Sequence, residues 1–248
     1  YGASFENYYE LQFFKKSRTE CRQYLTSSLR HELTRQVNDP CEALVLKDKV
    51  RFSEVFEDIL GRRVMTFDEI KRQMHDPYSI SINEVVIKPI KGQAGQGIIF
   101  PMQNFTSLRQ LHDYVISTVK KPDEYLYEER IIQHSALNKL NPSSLNTLRI
   151  VTYYDESINK VDVWSVVLRI GIKACTDNFA TGGIAALVDH RGVVCQPAII
   201  KHPSGERFHI HPVSGEKITG CIIPYYDQAI ALAKQAAMRI PKVRSIGW

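Results

Sequence analysis

Residues Val85 to Ile99 read Val-Val-Ile-Lys-Pro-Ile-Lys-Gly-Gln-Ala-Gly-Gln-Gly-Ile-Ile, and this is the most informative stretch of the sequence. A β-branched run brings Lys88 to the end of a strand, and three glycines follow before a second β-branched run begins. Glycine lets backbone N–H groups approach a phosphate closely, and a nearby ammonium adds positive charge. The stretch predicts either a phosphate-binding loop or a plain hairpin with a glycine-rich turn.

Two familiar phosphate-binding loops do not fit this stretch. A Walker loop ends in Gly-Lys-Ser/Thr, whereas Gly97 is followed by two isoleucines. A dinucleotide-binding fingerprint joins a strand to a helix, but this loop joins two predicted strands, Glu84–Ile90 and Gly97–Phe100. A phosphate site here would therefore belong to another fold.

Apolar spacing outside the loop indicates how the rest of the chain is organised. Helices are predicted within the first 40 residues, from about Phe52, at Ser107–Val119 and at Asp227–Arg239. Strands are predicted at Tyr125–Ile131, Thr147–Tyr154, Val161–Ile170 and Ile184–Asp189. Because helices and strands are partly segregated along the chain, the sequence predicts an α+β fold rather than a doubly wound parallel sheet.

Composition narrows the class of protein. With 248 residues, 44% of them hydrophobic and 24% charged, the chain is typical of a soluble globular protein. Lysine and arginine do not cluster in runs, so no nucleic-acid partner is predicted despite a net charge of +5. No apolar stretch approaches the about 18 residues of a membrane span. Five cysteines without a Cys-x-x-Cys pair favour a reducing, cytoplasmic compartment.

Further motifs follow the glycine loop in a fixed order. They are Leu-Tyr-Glu-Glu-Arg-Ile at 126–131, Asn-Thr-Leu-Arg at 146–149, Arg169, and Asp-Asn-Phe-Ala-Thr-Gly-Gly at 177–183. Together with Lys88-Pro89 they resemble ATP-grasp proteins, and more narrowly the sugar-transfer-associated ATP-grasp family, found with surface-polysaccharide genes. The resemblance covers nearly the whole chain and implies ATP bound between two α+β subdomains. We expect a helical N-terminal segment at 1–46 and subdomains at 47–122 and 123–248.

The resemblance also implies which residues bind the nucleotide. Lys49 corresponds to the outer nucleotide lysine, with Lys47 as the alternative, and Lys88 to the lysine on the α- and β-phosphates. The expected mobile lid over the triphosphate contains Gly92, Gly95 and Gly97. The linker whose backbone recognises adenine is expected at Glu128, Glu129, Arg130 and Ile131, with an acidic side chain available to ribose.

Arg149, Arg169 and Asn178 match positions that ribosomal-protein glutamate ligases use around the γ-phosphate and the acyl phosphate. Fixed guanidinium and amide donors suit that chemistry, because charge develops on phosphoryl oxygens and then on a tetrahedral oxyanion. From the residues alone, surface ion pairs for the two arginines and a turn for Asn178 remain alternatives.

The resemblance thus implies an ATP-dependent carboxylate–amine ligase, working through an acyl phosphate in capsule or O-antigen biosynthesis on small, sugar-linked substrates. A non-catalytic nucleotide-binding module and an ATP-dependent kinase are the alternatives. Family members place their magnesium ligands in an aspartate directly after Ile-Gly-Trp and in a Glu-x-Asn motif, so we expect the Mg²⁺ ligands beyond Trp248 and assign none within the chain. His209 and His211 form either a metal pair or a polar strand edge. Whether the protein is a homo-oligomer is left open.

Overall fold

The computed structural model describes residues 3–75, 84–91, 97–173, 176–202 and 204–248. Its α-helices in these ranges are α1 (Phe5–Glu10), α2 (Arg18–Cys21), α3 (Ser27–Val37), α4 (Lys49–Val55), α5 (Phe67–Gln73), α6 (Leu108–Thr118), α7 (Ser135–Asn138) and α8 (Tyr226–Arg239). The strands are β1 (Val64–Thr66), β2 (Val85–Pro89), β3 (Tyr125–Glu129), β4 (Thr147–Asp155), β5 (Lys160–Ile170), β6 (Ile184–Val188), β7 (Ala198–Ile200), β8 (Arg207–Phe208) and β9 (Ser245–Gly247). Short 3₁₀ helices lie at Phe13–Lys15, Glu42–Leu46, Glu57–Ile59, Pro122–Glu124 and Phe179–Thr181.

The chain forms two compact units, a larger one of Tyr1–Ala43 with Gln133–Trp248 and a smaller one of Leu44–Ile132. The paired strands in both units are antiparallel and the helices are segregated from them, which confirms the predicted α+β class. The domain boundaries predicted from the sequence stay a prediction. Among the described helices, none combines the length and apolarity needed to cross a bilayer.

The smaller unit is built on a three-stranded sheet in the order β1-β3-β2. Helices α5 and α6 pack against each other beside it, and their apolar side chains form one core with the strands. Helix α6 begins after Ser107, whose Oγ accepts a hydrogen bond from the N–H of Gln110 at 3.3 Å. This core fixes the positions of β2 and β3, the strands that carry Lys88 and Glu128.

The larger unit is built on a six-stranded sheet in the order β8-β7-β6-β5-β4-β9. Helix α8 packs on one face against β4 and β5. That face is apolar and includes Ile150, Val166, Leu168, Ile184 and Ala186, against which α8 places Ala233. Because side chains alternate along a strand, the other face carries Thr147, Arg149, Val151 and Tyr153 from β4 and Ser165, Val167 and Arg169 from β5. We call this second surface the arginine face.

Short elements account for the differences from the predicted elements. The predicted strand Gly97–Phe100 is reduced to a single antiparallel bridge between Ile87 and Ile99. Strands β1, β7, β8 and β9 are absent from the prediction, and each has only two or three residues. A two-residue alternation is too short to recognise in a sequence, and β9 pairs with a strand about a hundred positions earlier in the chain.

Candidate functional site

Two cationic side chains share one buried carboxylate oxygen in the smaller unit. Lys88 Nζ lies 2.6 Å from Glu128 Oε2 and Arg62 Nε lies 3.1 Å from the same oxygen. Glu128 pairs with Val86 across the sheet, so Lys88, two residues further along β2, points to the same face. The carboxylate is almost fully buried, whereas both cations keep part of their surface in solvent.

Lys49 is the third cation at this place. Its Nζ donates to the carbonyl oxygens of Pro89 at 2.6 Å and Ile90 at 3.1 Å, which ties the start of α4 to the end of β2. Asp48 caps α4 by accepting hydrogen bonds from two N–H groups of its first turn. Burial lowers the pKa of the Lys49 ammonium, Glu128 opposes the shift, and Lys88 adds to it.

These side chains line a cavity of about 280 Å³. Its lining consists of Leu46, Lys49, Phe52, Ser53, Leu60, Arg62, Val64, Lys88 and Glu128. Lys47, the alternative to Lys49, is exposed and is not part of this lining. Three cations and one carboxylate leave a net charge of +2, so the cavity suits a polyanion such as a chain of phosphates.

The linker expected to recognise adenine is largely engaged in the sheet. The N–H groups of Glu129 and Arg130 donate to the carbonyl oxygens of Arg63 at 2.9 Å and Glu84 at 3.0 Å. The Arg130 guanidinium also pairs with the Glu84 carboxylate at 2.7 Å. Ile131 is exposed, and its N–H donates no hydrogen bond to any described residue. Of these amides, that of Ile131 is therefore the one left for a base.

The glycine loop lies mostly outside the described residues, including Gly92 and Gly95. Gly97, where the description resumes, has φ +71°. A Cβ on Gly97 would come 2.9 Å from Pro89 Cγ. Both the left-handed backbone and this close approach require glycine there.

In the larger unit, Arg149 and Arg169 lie on neighbouring strands and on one face. Arg149 pairs with Val167 and Arg169 with Thr147 across β4 and β5, so the two arginines are diagonal neighbours on the arginine face. Partial burial lowers the pKa of the Arg149 guanidinium, as does nearby Arg169, while Asp177 opposes the shift. Arg149 Nη1 donates to the Gly247 carbonyl. The structure thus brings both residues together.

Asp177 holds Arg169 in place through Thr147. The Asp177 carboxylate accepts from the N–H of Thr147 at 3.0 Å and from its hydroxyl. That hydroxyl accepts from Arg169 Nη2 at 2.7 Å and Nε at 3.0 Å, while the direct Arg169–Asp177 contact is longer, at 3.4 Å. Asp177 is nearly buried. The arginine is therefore oriented by a fixed hydroxyl and an acid rather than by solvent.

Asn178 has a local structural role in this structure. Its Oδ1 accepts from the N–H of Ala180 at 2.9 Å and caps the 3₁₀ helix Phe179–Thr181. Its Nδ2 donates no hydrogen bond to any described residue. Gly183 follows this turn, and the position requires glycine because a Cβ there would come 2.7 Å from the Asp177 carbonyl oxygen. The Asn178 side-chain oxygen therefore has the turn role that was the alternative for this residue, while its Nδ2 donors stay available.

Three important residues received no role from the sequence. Thr147 and Asp177 lie inside the motifs that contain Arg149 and Asn178, and the structure adds them as the residues that orient Arg169. Arg62 follows Gly61 just before β1, and no motif marks it. Its partner Glu128 is 66 positions away, so the pairing exists only once β1 and β3 are side by side.

The described residues do not fit a magnesium site. His211 is buried, and its Nδ1 accepts from the N–H of Ser214 at 3.1 Å, so its Nε2–H donates to the Gly171 carbonyl at 2.9 Å. Both ring nitrogens are thereby engaged. Nowhere in the described ranges do three histidine, cysteine, aspartate or glutamate side chains gather as a metal site would require. Magnesium ligands beyond Trp248 remain an expectation.

Residues 28–248 match the family model for sugar-transfer associated ATP-grasp. No curated protein matches the chain.

Solved structures with similarity include a bifunctional glutathione synthetase from Pasteurella multocida, at 15% identity and TM-score 0.33, covering 54% of this chain and 16% of that one. A D-alanine-D-alanine ligase from Coxiella burnetii has 9% identity and TM-score 0.30, covering 82% and 57%. D-alanyl-alanine synthetase A from Vibrio cholerae O1 biovar eltor has 8% identity and TM-score 0.32, covering 83% and 67%. The chain thus spans less than two thirds of the first two proteins' length.

Proposed function

Because the chain belongs to the sugar-transfer associated ATP-grasp family, we propose that it is an ATP-dependent carboxylate–amine ligase working through an acyl phosphate. The family match confirms both the resemblance and the ATP-grasp fold predicted from the sequence. Membership of the family implies that the bound nucleotide is ATP. The reaction, the substrates and the residue roles are our proposal.

The cationic cavity of the smaller unit is the observation that carries this proposal. Lys88 and Arg62 both rest on Glu128, and Lys49 rests on two carbonyl oxygens. A triphosphate offers each cation anionic oxygens of its own, whereas Lys88 and Arg62 share one carboxylate oxygen and Lys49 contacts neutral carbonyls. The glycine loop with Gly92, Gly95 and Gly97 would then cover the phosphates, and Ile131 would present its amide to adenine.

The reaction proceeds in two balanced steps. A carboxylate oxygen attacks the γ-phosphorus, ADP leaves, and an acyl phosphate forms. An amine nitrogen then attacks the acyl carbon, inorganic phosphate leaves, and the nitrogen loses a proton to give an amide. Arg149 and Arg169 would stabilise the transferred phosphoryl group, and the Asn178 Nδ2 would donate to the tetrahedral oxyanion. Magnesium, when bound, neutralises triphosphate charge.

The family's description as sugar-transfer associated motivates a sugar-linked substrate. We assign one substrate to a sugar-linked carboxylate or amine, consumed in surface-polysaccharide assembly, and place the reaction in the cytoplasm, where ATP is made.

Nucleotide binding gives the first test. Replacing Lys88 by glutamine removes one charge-assisted contact to phosphate, worth about 1.5–3 kcal/mol, so we expect ATP affinity to fall at least about tenfold. Isothermal titration on the purified chain measures it. Lys120→Gln, an exposed lysine of the same unit, is the matched control and should bind ATP normally. Equal affinity for both variants would remove Lys88 from the site.

Turnover gives the second test. The natural gene product, supplied with Mg-ATP and a panel of sugar acids and amines, should release ADP only when a suitable acid is present. Hydroxylamine should trap the acyl phosphate as a hydroxamate. A stable phosphorylated acceptor without amide would indicate a kinase. ATP binding without ADP for any substrate pair would leave a nucleotide-binding module.

A further inference from the structure

A stacked pair of aromatic rings lies on the arginine face, further along the strands than Arg149 and Arg169. The rings of Tyr153 and Trp164 are 4.6 Å apart and only 11° from parallel. Trp164 is 59% exposed, and among the described residues Tyr153 is its one ring partner. Stacking therefore holds the indole flat while much of its surface remains in contact with water.

A β-bulge places Trp164 there. Val151 pairs with Ser165 and Thr152 with Val163, so Trp164 is the extra residue in β5. Val163 packs towards the apolar core and Val166 is buried in it, while Trp164 and Ser165 lie between them on the opposite side. Bulges often redirect a side chain next to a functional site. Trp164 is not part of the apolar core of the larger unit, so the bulge leaves the indole exposed on the arginine face.

Polar groups surround the two rings. Arg244 lies over Tyr153, with its Cζ 5.1 Å from the ring centroid, and donates to the Tyr154 carbonyl at 3.1 Å. Asp162 is directly opposite Tyr153 in the sheet and pairs with Lys160 at 2.7 Å. A flat aromatic surface with charged donors and acceptors at its edge suits a ligand that has one apolar face and a polar rim.

A pyranose ring has those properties. Its axial C–H groups carry partial positive charge and pack on the negative face of an aromatic ring, while its hydroxyls need polar partners at the edge. Trp164 is three residues from Val167, the partner of Arg149, or about 10 Å along the strand. An extended arginine side chain and an acidic ring substituent can together cover that distance.

We propose that Trp164, stacked on Tyr153, is a sugar-binding subsite that takes the apolar face of an acidic pyranoside, whose carboxylate points along the strands towards Arg149 and Arg169. The orientation of the acid rests on the proposed function, whereas the stacking does not. The subsite makes the sugar acid, rather than the amine, the substrate held by this sheet.

Ligand-observed NMR with methyl β-D-glucuronide tests the stacking without ATP. We expect saturable binding in the millimolar range, at least about tenfold weaker in Trp164→Ala and nearly retained in Trp164→Phe, which keeps a ring. Phe5→Ala, an exposed aromatic of the same unit, is the control and should bind normally. Unchanged binding in Trp164→Ala would overturn the subsite, as would uridine binding at Trp164 in place of the glycoside.

A neutral analogue tests the orientation. Arg149→Met should weaken methyl β-D-glucuronide binding about tenfold and leave methyl β-D-glucoside binding unchanged. Equal effects on both glycosides would overturn the placement of the carboxylate. Because neither experiment uses ATP, glycoside binding without ligase activity would refute the proposed function alone, and ligase activity without glycoside binding would refute the subsite alone.

Discussion

The smaller and the larger unit each hold a group of cations near one buried acid, but the two groups are held differently. In the smaller unit Lys88 and Arg62 contact the Glu128 carboxylate directly, inside a cavity. In the larger unit Arg169 reaches Asp177 mainly through the Thr147 hydroxyl, on a sheet face. Glu128 contacts two cations directly, whereas Asp177 orients its arginine mainly through the Thr147 hydroxyl.

This difference bears on what each group does when a ligand arrives. In the proposed nucleotide complex, Lys88 and Arg62 would exchange part of their contact with Glu128 for phosphate oxygens, so the acid would compete with the nucleotide. Arg169 would keep its Nε and Nη2 contacts with Thr147 and offer Nη1, which donates no hydrogen bond to a described residue. Preorganised donors of the second kind stabilise developing charge without reorganising. The direct contacts with Glu128 in the smaller unit fit the proposed nucleotide binding. The preorganised Arg169 in the larger unit fits the proposed stabilisation of a transition state.

The largest effect should come from removing the orienting acid. Asp177→Ala leaves the Thr147 donors and a nearby guanidinium without their acceptor in a nearly buried place, so we expect about 3 kcal/mol lower free energy of unfolding for the larger unit. Urea unfolding followed by tryptophan fluorescence reports on that unit, since Trp164 and Trp248 both lie in it.

Asp162→Ala is the matched control for this change. Asp162 pairs with Lys160 where both side chains are largely exposed, so its loss should cost less than about 1 kcal/mol. Similar destabilisation in both variants would show that Asp177 has no special anchoring role.

We expect Glu128→Gln to lower the free energy of unfolding of the smaller unit by about 2 kcal/mol. A neutral amide oxygen compensates the charges of Lys88 and Arg62 poorly in a buried place. Hydrogen exchange of the β2 and β3 amides measures this loss, as the smaller unit has no tryptophan. If the acid competes with phosphate, tripolyphosphate should bind this variant more tightly than the parent. Tripolyphosphate lacks ribose, so a ribose contact of Glu128 cannot confuse the result.

Glu84→Gln provides the comparison for that measurement. Glu84 pairs with Arg130 on the exposed rim of the same sheet, so neither exchange nor tripolyphosphate binding should change. Weaker tripolyphosphate binding in Glu128→Gln would contradict competition between acid and phosphate.

The long, regular elements could be predicted from the sequence, because their signals are local. Strands β4 and β5 are nine and 11 residues long, and α6 has a serine cap and an apolar stripe. Their adjacency put Arg149 and Arg169 on one face. The family itself was recognisable because motifs such as Asp177–Gly183 encode turns that few sequences can form.

The partners of the site residues could not be predicted in the same way. Arg62 and Glu128 come together through the pairing of β1 with β3, and a three-residue strand leaves no readable alternation. The motif at 177–183 predicts a site role for Asn178, but the contact of Asp177 with Thr147 exists only once the turn lies beside β4. The bulge at Trp164 is a register shift between two strands, and neither strand alone reveals it.

We expect Thr147→Val to lower the free energy of unfolding by about 1 kcal/mol, because it keeps the side-chain shape but removes the hydroxyl between Arg169 and Asp177. If the hydroxyl orients the arginine, the natural gene product carrying this change should lose kcat while the KM for ATP stays constant. Thr152→Val is unsuitable for comparison because its hydroxyl binds Trp248, whereas Thr118→Val, exposed at the end of α6, should be neutral. A change in the KM for ATP alone would argue against orientation.

The smallest effect concerns protons at Lys49. Burial lowers its pKa from 10.5, and a bound triphosphate should raise it again by favouring the charged form. Between the lowered pKa of Lys49 in the free chain and its higher pKa in the complex, ATP binding takes up a fraction of a proton, so calorimetry in buffers of different ionisation enthalpy should show proton uptake that grows as the pH rises towards the ordinary lysine pKa. Lys49→Met should abolish the alkaline uptake. For the same reason the unfolded chain binds more protons than the folded one in this window, so Lys49 should make the free energy of unfolding rise with pH there. Proton release on ATP binding, or uptake that survives in Lys49→Met, would place the triphosphate away from Lys49 and leave Lys88 and Arg62 as the cations that bind it.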